Sequence, residues 1–401
     1  MAAGEHGDLA LDQRAGAHPG PEPLPPDPEE VREDEMMEEG AALLRDKRRL
    51  AGVASAFVLL VVAIYVLFPK VVGADDALAK FDEATWYWVV VALGFNVASF
   101  AAYVVLFRGI LGGTRDDALH RRLDARASYQ ITMAGLAATR IFSAAGAGGI
   151  VLTYWALRKA GMERRRAACR MVAFLVLLYT AYLWALLIFG VLLASEVLPG
   201  EAPRGATIVP AAIGAAVLVL LGLVALIPGD IERRLSELSM RSGTPGFVGR
   251  VASVPATVAT GVRTAIAYVR HPRRGATAIA GAIGFWAANI GVLWASFEAF
   301  GQSVPLAVLV QGFFIGMAAN LIPSPAGGVG SVDAGLIGAF VLFGLPDETV
   351  FPAVLTYRLI AFWLPIPPGI VAYFQLRHTV TGWQREQDGY TSESKVTAEA
   401  T

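Results

Sequence analysis

Three charged residues, Arg140, Asp333 and Arg358, stand within long apolar stretches of the sequence. A charge at bilayer depth costs several kcal/mol unless it is paired or hydrated, so each is a candidate functional residue. The planar guanidinium of an arginine presents a fork of N–H donors that matches a phosphate group. We therefore predict that Arg140 or Arg358 binds a lipid phosphate and that Asp333 pairs with one of them. The alternative is an ion pair that only holds helices together.

Asp333 closes the stretch around which the rest of the chain is arranged, Asn320-Leu-Ile-Pro-Ser-Pro-Ala-Gly-Gly-Val-Gly-Ser-Val-Asp333. Its prolines and glycines disfavour a helix, because proline lacks the N–H donor and glycine favours other backbone conformations. The flanking sequence from about Pro305 to Phe343 is apolar. Irregular backbone at membrane depth survives only where it is buried in protein or lines a polar cavity. We predict a helix interrupted at a substrate site, with a tight turn outside the membrane as the alternative.

The composition is that of a membrane protein. Of the 401 residues, 55% are hydrophobic and 17% charged, and the mean hydropathy is +0.53. Such values, with several nearly uncharged runs of span length, predict a polytopic helical membrane protein. The single cysteine, Cys169, excludes an internal disulfide, and the five histidines fall outside the predicted spans. We therefore expect no metal, no cofactor and no nucleic-acid partner.

Six apolar segments are long enough to be full spans, which need roughly 20 residues. They are Leu50–Phe68, Trp86–Phe107, Ala168–Ala194, Ala206–Ile227, Gly275–Phe300 and Val350–Gln375. Lysine and arginine concentrate beside the cytoplasmic ends of spans, which predicts a plasma (inner) membrane protein with cytoplasmic N- and C-termini. The membrane domain would cover 45–378, between polar tails at 1–44 and 379–401 that we predict to be disordered.

Two further apolar segments, Ala127–Gly161 and Pro305–Gly344, are broken in the middle. Their arms are short for full spans, so we predict two re-entrant helical hairpins, with pairs of tilted spans as the alternative. Each half of the domain then reads span, span, hairpin, span, over 45–194 and 206–376. Because three crossings turn the second half upside down, the sequence predicts an all-α fold of six spans and two hairpins in an inverted repeat.

The basic segment between the halves, residues 230–274, has two interpretations. It holds eight arginines against three acidic residues. A helix lying on anionic headgroups and a solvated linker both fit this composition.

Four amide side chains also fall in apolar sequence, where they would line a polar path or form interhelical hydrogen bonds. They are Asn96, Asn289, Gln311 and Asn320.

Two motifs carry a resemblance to a known family. Pro325-Ala-Gly-Gly-Val-Gly-Ser-Val-Asp-Ala334 resembles the Pro-x-Gly-Gly-x-Gly-x-x-Glu-Ala signature of the lysylphosphatidylglycerol synthase transmembrane-region family, which is also described as flippase-like. Leu355-Thr-Tyr-Arg-Leu-Ile-Ala-Phe-Trp-Leu-Pro365 is similar to that family's Tyr-Arg-Leu span. The resemblance covers about Leu50 to Gln375. Two departures are Asp333 in place of glutamate and a first hairpin without the Gly-Glu and Arg pattern of many members.

The resemblance implies a protein that moves a lipid between leaflets, and it adds motif positions to the predicted substrate site. The predicted substrate-binding residues are Arg140, Asn320, Pro325, Gly327, Gly328, Gly330, Asp333, Tyr357 and Arg358. The amides at the helix starts beside Gly149 and Gly328 would add N–H donors for the same anion.

The leading functional hypothesis is therefore a lipid translocase whose partners are membrane phospholipids. No soluble aminoacyl-transferase domain is present in the sequence, so we expect a transporter rather than a synthase. A membrane glycosyltransferase that uses a polyprenyl-phosphate donor is an alternative, suggested by Asp75-Asp76. Another is a scaffold for a lipid-modifying or cell-envelope enzyme, with the acidic N-terminal tail as its contact.

Overall fold

The structure is a computed structural model, and it describes residue 55 and residues 84–112, 118–141, 147–200, 203–226, 245–322 and 328–399. Helices make up nearly all of these ranges, and no strand occurs within them. The predicted N-terminal tail at 1–44 lies outside the described residues, as does the predicted span Leu50–Phe68 except for Ser55. The chain is therefore all-α over the part that the structure describes.

The helices are numbered here in chain order. They are α1 (Trp86–Leu111), α2 (Ala118–Arg122), α3 (Ala125–Ile141), α4 (Ala147–Lys159), α5 (Arg164–Ala194), α6 (Arg204–Ala225), α7 (Pro245–Arg270), α8 (Pro272–Ala299), α9 (Leu306–Ala318), α10 (Ser331–Leu342), α11 (Asp347–Arg358) and α12 (Ile366–Glu399). A 3₁₀ turn, Ala319–Leu321, follows α9, and a π-helix, Leu359–Trp363, joins α11 to α12.

Five helical segments are long and apolar enough to cross a bilayer. They are Trp86–Leu111, Arg164–Ala194, Arg204–Ala225, Gly275–Ala299 and Asp347–Glu386. Each coincides with one of the predicted spans to within a few residues at its N-terminal end. The protein is thus a multi-pass membrane protein, and the apolar runs account for where its long helices form.

Prolines mark several of the helix boundaries. Pro203, Pro305 and Pro346 each stand immediately before a helix, where the missing N–H has no intrahelical acceptor to lose. Pro272 is the first residue of α8, and only His271 separates it from α7. Proline disfavours helical backbone at the residue before it, so the chain ends one helix and starts the next at that point.

Small residues allow the central helices to pack closely. The most extensive helix–helix contact joins α1 to α8. A Cβ atom added at Gly281 would lie 2.5 Å from the Leu106 nitrogen and 2.8 Å from the Ala102 carbonyl oxygen, so α8 touches the backbone of α1 there. Around this pair, α5 contacts α6, α7 and α9, while α3 contacts α4 and α12. Close backbone approach through small residues is the usual way that membrane helices associate.

The two predicted hairpins are pairs of short helices in contact. The first is α3 with α4, and the second is α9 with α10. In each pair a glycine of the second arm meets a glycine carbonyl of the first. A Cβ atom added at Gly149 would lie 2.5 Å from the Gly135 carbonyl oxygen, and one added at Gly335 would lie 2.7 Å from the Gly316 carbonyl oxygen. Any side chain at these positions would push the two arms apart.

Two parts of the structure differ from the sequence prediction. The predicted continuous span Val350–Gln375 is two α-helices joined by the π-helix. The C-terminal tail, predicted to be disordered from residue 379, continues α12 to Glu399. Extending an existing helix costs little compared with nucleating one, and buried Trp383 holds that extension against the protein. For the basic segment, where two interpretations were open, α7 contacts α5: a Cβ atom added at Gly261 would lie 2.4 Å from Val172 Cγ1, so this part of the segment is not a solvated linker.

Candidate functional site

The Arg358–Asp333 ion pair lies at the centre of the candidate site. Arg358 Nε donates to Asp333 Oδ1 over 2.8 Å, and Arg358 Nη2 donates to the Gly328 carbonyl over 3.1 Å. Arg358 is 5% exposed and Asp333 8% exposed, so both charges are removed from solvent. The predicted contact of Asp333 with one of the two arginines is confirmed, and the partner is Arg358. Its bonds tie α11 to both the start of α10 and the turn before it.

The turn before α10 needs its glycines. Gly328 and Gly330 have φ values of 92° and 84°, a left-handed region that residues with a Cβ rarely adopt. In this conformation the Gly330 amide donates to Asp333 Oδ2 over 2.8 Å. Asp333 is therefore the first-turn acid that satisfies the exposed amide at the start of α10 and also complements the helix dipole. Both of its carboxylate oxygens are engaged.

Arg140 binds the π-helix instead of a carboxylate. Its Nη2 donates to the Ala361 carbonyl over 3.0 Å, and its Nη1 donates to the Phe362 carbonyl. A third carbonyl of the same turn, that of Ile360, accepts a bond from Asn96 Nδ2 over 3.0 Å. Side chains from α1 and α3 therefore bond three consecutive carbonyls of the π-helix. Among the residues that the structure describes, no carboxylate lies within ion-pairing distance of Arg140.

Phe362 brings the two guanidiniums together. The Cζ atom of Arg140 lies 4.7 Å from the centroid of the Phe362 ring, and the Cζ atom of Arg358 lies 4.3 Å from it. Both distances suit cation–π contacts, which gain strength where water is scarce. Two guanidiniums thus meet at one aromatic ring, and with the single carboxylate of Asp333, which pairs with Arg358, the cluster has a net positive charge.

Pro365, which follows the π-helix, accounts for the free carbonyl of Ala361. Pro365 has no N–H, and in an α-helix that amide would bond the Ala361 carbonyl. The Leu364 amide bonds the Leu359 carbonyl five residues earlier, which is the π-helical pattern. The Ala361 oxygen therefore needs a donor from elsewhere, and Arg140 supplies it. Such π-helical turns within longer helices are frequent at functional sites.

Two other predicted site residues lie beside the ion pair. A Cβ placed on Gly328 would be 2.8 Å from Asn320 Oδ1, so the exposed Asn320 side chain lies against the turn. Tyr357 is buried next to Arg358 in the chain, and its ring lies 5.9 Å from that of Phe313. Pro325 and Gly327 lie outside the described residues. The structure thus brings together Arg140, Asn320, Gly328, Gly330, Asp333 and Arg358 around the breaks of α3, α9 and α11, and a role for them in substrate binding stays a prediction.

The amides outside this cluster serve mainly as bridges. Asn96 bonds the π-helix, and Gln311 Nε2 donates to the Ala206 carbonyl of α6 over 3.3 Å, so both form interhelical hydrogen bonds. Asn289 bonds the Phe285 carbonyl of its own helix over 2.8 Å. The predicted start of α4 beside Gly149 is confirmed, although the glycine itself is required by the contact with α3.

Sequence reasoning missed the π-helix and Phe362. The segment Leu359–Trp363 is uniformly apolar, and hydropathy does not register the insertion of one residue into a helical turn. The available signal was the run Pro365-Ile-Pro-Pro368, whose missing amides free carbonyls in the preceding turn. An arginine on another helix is a suitable donor for such carbonyls.

Comparison with known proteins places this geometry in context. A family model described as the lysylphosphatidylglycerol synthase TM region matches residues 52–369, which include both hairpins and the π-helix. A UPF0104 membrane protein of Methanothermobacter thermautotrophicus is 30% identical over 87 residues, or 22% of this chain and 26% of that protein. The chain therefore spans about a quarter of the length of this curated relative. No solved structure matches.

Proposed function

Because the chain belongs to the lysylphosphatidylglycerol synthase TM region family, we propose that it is a flippase-like lipid translocase. It moves an anionic or aminoacylated phospholipid between the leaflets, and the headgroup passes the cluster of Arg140, Arg358 and Phe362. The family match covers a membrane region only, so transport is proposed rather than lipid synthesis. The protein's direct partners are then membrane phospholipids.

The charge balance of the cluster is the observation that carries the proposal. Asp333 neutralises Arg358, whereas Arg140 is bonded only to neutral carbonyls among the described residues. A guanidinium has five N–H donors, and the two bonds to the π-helix leave three of them for another acceptor. A lipid phosphate would supply both the missing negative charge and the acceptor oxygens. Within this arrangement Arg358 and Asp333 position the hairpin, and Arg140 binds the headgroup.

We further propose that the domain is an inverted repeat with two re-entrant hairpins. The glycine contacts Gly149–Gly135 and Gly335–Gly316 occupy matching places in the two hairpins. The helix contacts also correspond: α3 packs on α12 as α9 packs on α5, and the equivalent helices α1 and α8 pair with each other. The hairpin helices, at 12 to 17 residues, rise about 18–26 Å, less than a hydrocarbon core of about 30 Å.

Reconstitution into liposomes tests the translocase directly. The protein is placed in phosphatidylcholine vesicles that contain a trace of fluorescent phosphatidylglycerol, and dithionite bleaches the dye in the outer leaflet. Translocation extends bleaching beyond the outer-leaflet pool. We expect Arg140→Gln to slow the bleaching of inner-leaflet dye about tenfold or more, because the variant loses charged hydrogen bonds to the phosphate. Arg140→Lys keeps the positive charge but lacks the planar guanidinium, so its translocation rate should lie between those of the wild type and Arg140→Gln.

Arg263→Gln is the matched control. Arg263 is also a half-buried arginine on a helix, but among the described residues its hydrogen bonds go to its own turn, to the Ala259 carbonyl and Thr260 Oγ1. It should transport lipid like the wild type. Equal translocation by wild type and a folded Arg140→Gln variant would contradict the proposed role of Arg140. Absence of translocation by the wild type for every headgroup tested would contradict the function itself.

A further inference from the structure

A polar cavity lies between the start of α3 and the last turns of α12 around Trp383. Its volume is about 380 Å³, within the range of small-ligand pockets. Arginines from α2 and the first turn of α3 line one side, and residues near Trp383 line the other. On α3 it lies about ten residues before Arg140, or roughly 15 Å along the helix axis. The cavity is therefore distinct from the cluster around Phe362.

Gln130 presents an unused donor group to this cavity. The side chain lines the cavity and is 1% exposed. Thr379 Oγ1 donates to Gln130 Oε1 over 2.9 Å, while Gln130 Nε2 has no partner among the described residues. A buried amide nitrogen without an acceptor costs free energy. A ligand with acceptor oxygens would remove that cost.

The charges around the cavity favour an anion. Arg121, Arg122 and Arg126 line it together with one carboxylate, that of Asp124. Asp124 Oδ1 is already used, since it accepts the Ala127 amide over 2.7 Å at the start of α3. Arg122 lies 3.9 Å from Glu386, which offsets part of its charge. Among the side chains that the structure describes, which on α12 end at Glu386, no carboxylate pairs with Arg121 or Arg126.

We propose that this cavity is a phosphate-binding site, formed by Arg121, Arg126 and the Gln130 amide, with His378 at its rim. The ligand class is a phosphate monoester or diester, which offers oxygens to the guanidiniums and to Gln130 Nε2 at once. Its source is either the headgroup of an anionic lipid or a free phosphate compound. The site does not depend on the proposed translocation, because its residues do not include the Phe362 cluster.

Thermal unfolding in phosphatidylcholine nanodiscs tests the site, since a ligand that binds only the folded state raises Tm. One arm adds phosphatidylglycerol to the nanodisc, and the other adds glycerol phosphate or inorganic phosphate to the buffer. A Tm rise in the first arm alone assigns the site to a lipid headgroup. A rise in the second arm assigns it to a free phosphate compound.

The variants Arg126→Gln and Gln130→Leu distinguish this cavity from other basic surfaces. We expect each to weaken the apparent affinity on the order of tenfold, the effect of losing a hydrogen bond to a charged group. Arg263→Gln, outside the cavity, should respond like the wild type. If neither arm raises Tm, or if the rise is unchanged in both cavity variants, the proposal is wrong. Because the readout is unfolding rather than transport, its failure is separate from failure of the translocase.

Discussion

The two oxygens of Asp333 connect two different parts of the hairpin. Oδ1 accepts the Arg358 guanidinium of α11, and Oδ2 accepts the Gly330 amide at the start of α10. Losing the negative charge therefore affects a side-chain pair and a helix start together. The orphaned guanidinium is the larger effect, because Arg358 is 5% exposed and cannot regain water easily.

We predict that Asp333→Asn lowers the free energy of unfolding by about 3–5 kcal/mol, the usual cost of breaking a buried ion pair. Asp333→Glu should be tolerated, because glutamate at the third position of a helix reaches the same backbone amide in a capping box. Thermal unfolding of both variants in one detergent measures the difference. Equal Tm values for Asp333→Asn and the wild type would show that the pair contributes little to stability.

At the residue scale, the sequence identified the charged residues of the site but did not predict which groups they bond. Arg140, Asp333 and Arg358 are conspicuous because ionised side chains are rare in apolar runs. The choice of partner was not predictable, since Arg140 and Arg358 were equally placed to pair with Asp333. The answer depends on carbonyls freed by the π-helix, which offer Arg140 another set of acceptors.

At the scale of elements, the π-helix provides the carbonyl acceptors that Arg140 binds. A regular α-helix would use the Ala361 carbonyl internally, and Pro365 prevents this because it has no amide hydrogen. The irregular turn and the bond of Arg140 to the Ala361 carbonyl therefore both follow from Pro365. The bonds from Asn96 and Arg140 then offset the cost of the irregular turn.

We predict that Pro365→Ala lowers lipid translocation without lowering Tm. The restored amide can donate to the Ala361 carbonyl, so the π-helix relaxes towards α-helix and Arg140 loses an acceptor. The dithionite assay and thermal unfolding measure the two quantities on the same preparation.

Pro352→Ala is the control for that experiment, because Pro352 also interrupts amides of this span but lies within α11, before the π-helix. It should leave translocation near the wild-type rate. Normal translocation by Pro365→Ala would show that the π-helix is not needed for transport. An equal loss of translocation in both proline variants would indicate a general effect of proline removal on the span rather than a specific role of the π-helix.

The long helices were predictable, whereas their irregularities were only partly so. An apolar run of span length has one stable form in a bilayer, which is why α1, α5, α6 and α8 lie where hydropathy places them. The turn before α10 was also readable, because the glycines that take left-handed backbone there, Gly328 and Gly330, stand in a cluster of glycine and proline. The extension of α12 to Glu399 was not, since its polar sequence resembles a free tail and helix continuation depends on the preceding turns.

At the scale of the whole domain, the proposed inverted repeat predicts on which side of the membrane each hairpin opens. Hairpin one is flanked by Arg121 and Arg164, and hairpin two by Ser303 and Asp347. An inverted repeat requires each hairpin to return to the side from which it entered, and the two hairpins to open on opposite faces. By the positive-inside rule, the arginines around hairpin one predict that its flanks are cytoplasmic.

Cysteine labelling can decide this arrangement, because Cys169 is the only native cysteine and is buried. We replace it with alanine and introduce single cysteines at Arg121, Arg164, Ser303 and Asp347. In intact cells, an impermeant maleimide should label the cysteines at 303 and 347 and leave those at 121 and 164 unlabelled until the membrane is opened. If the cysteine at 164 reacts in intact cells while that at 121 does not, hairpin one crosses the membrane an odd number of times. If all four react alike, both hairpins open on one face and the second half is not inverted.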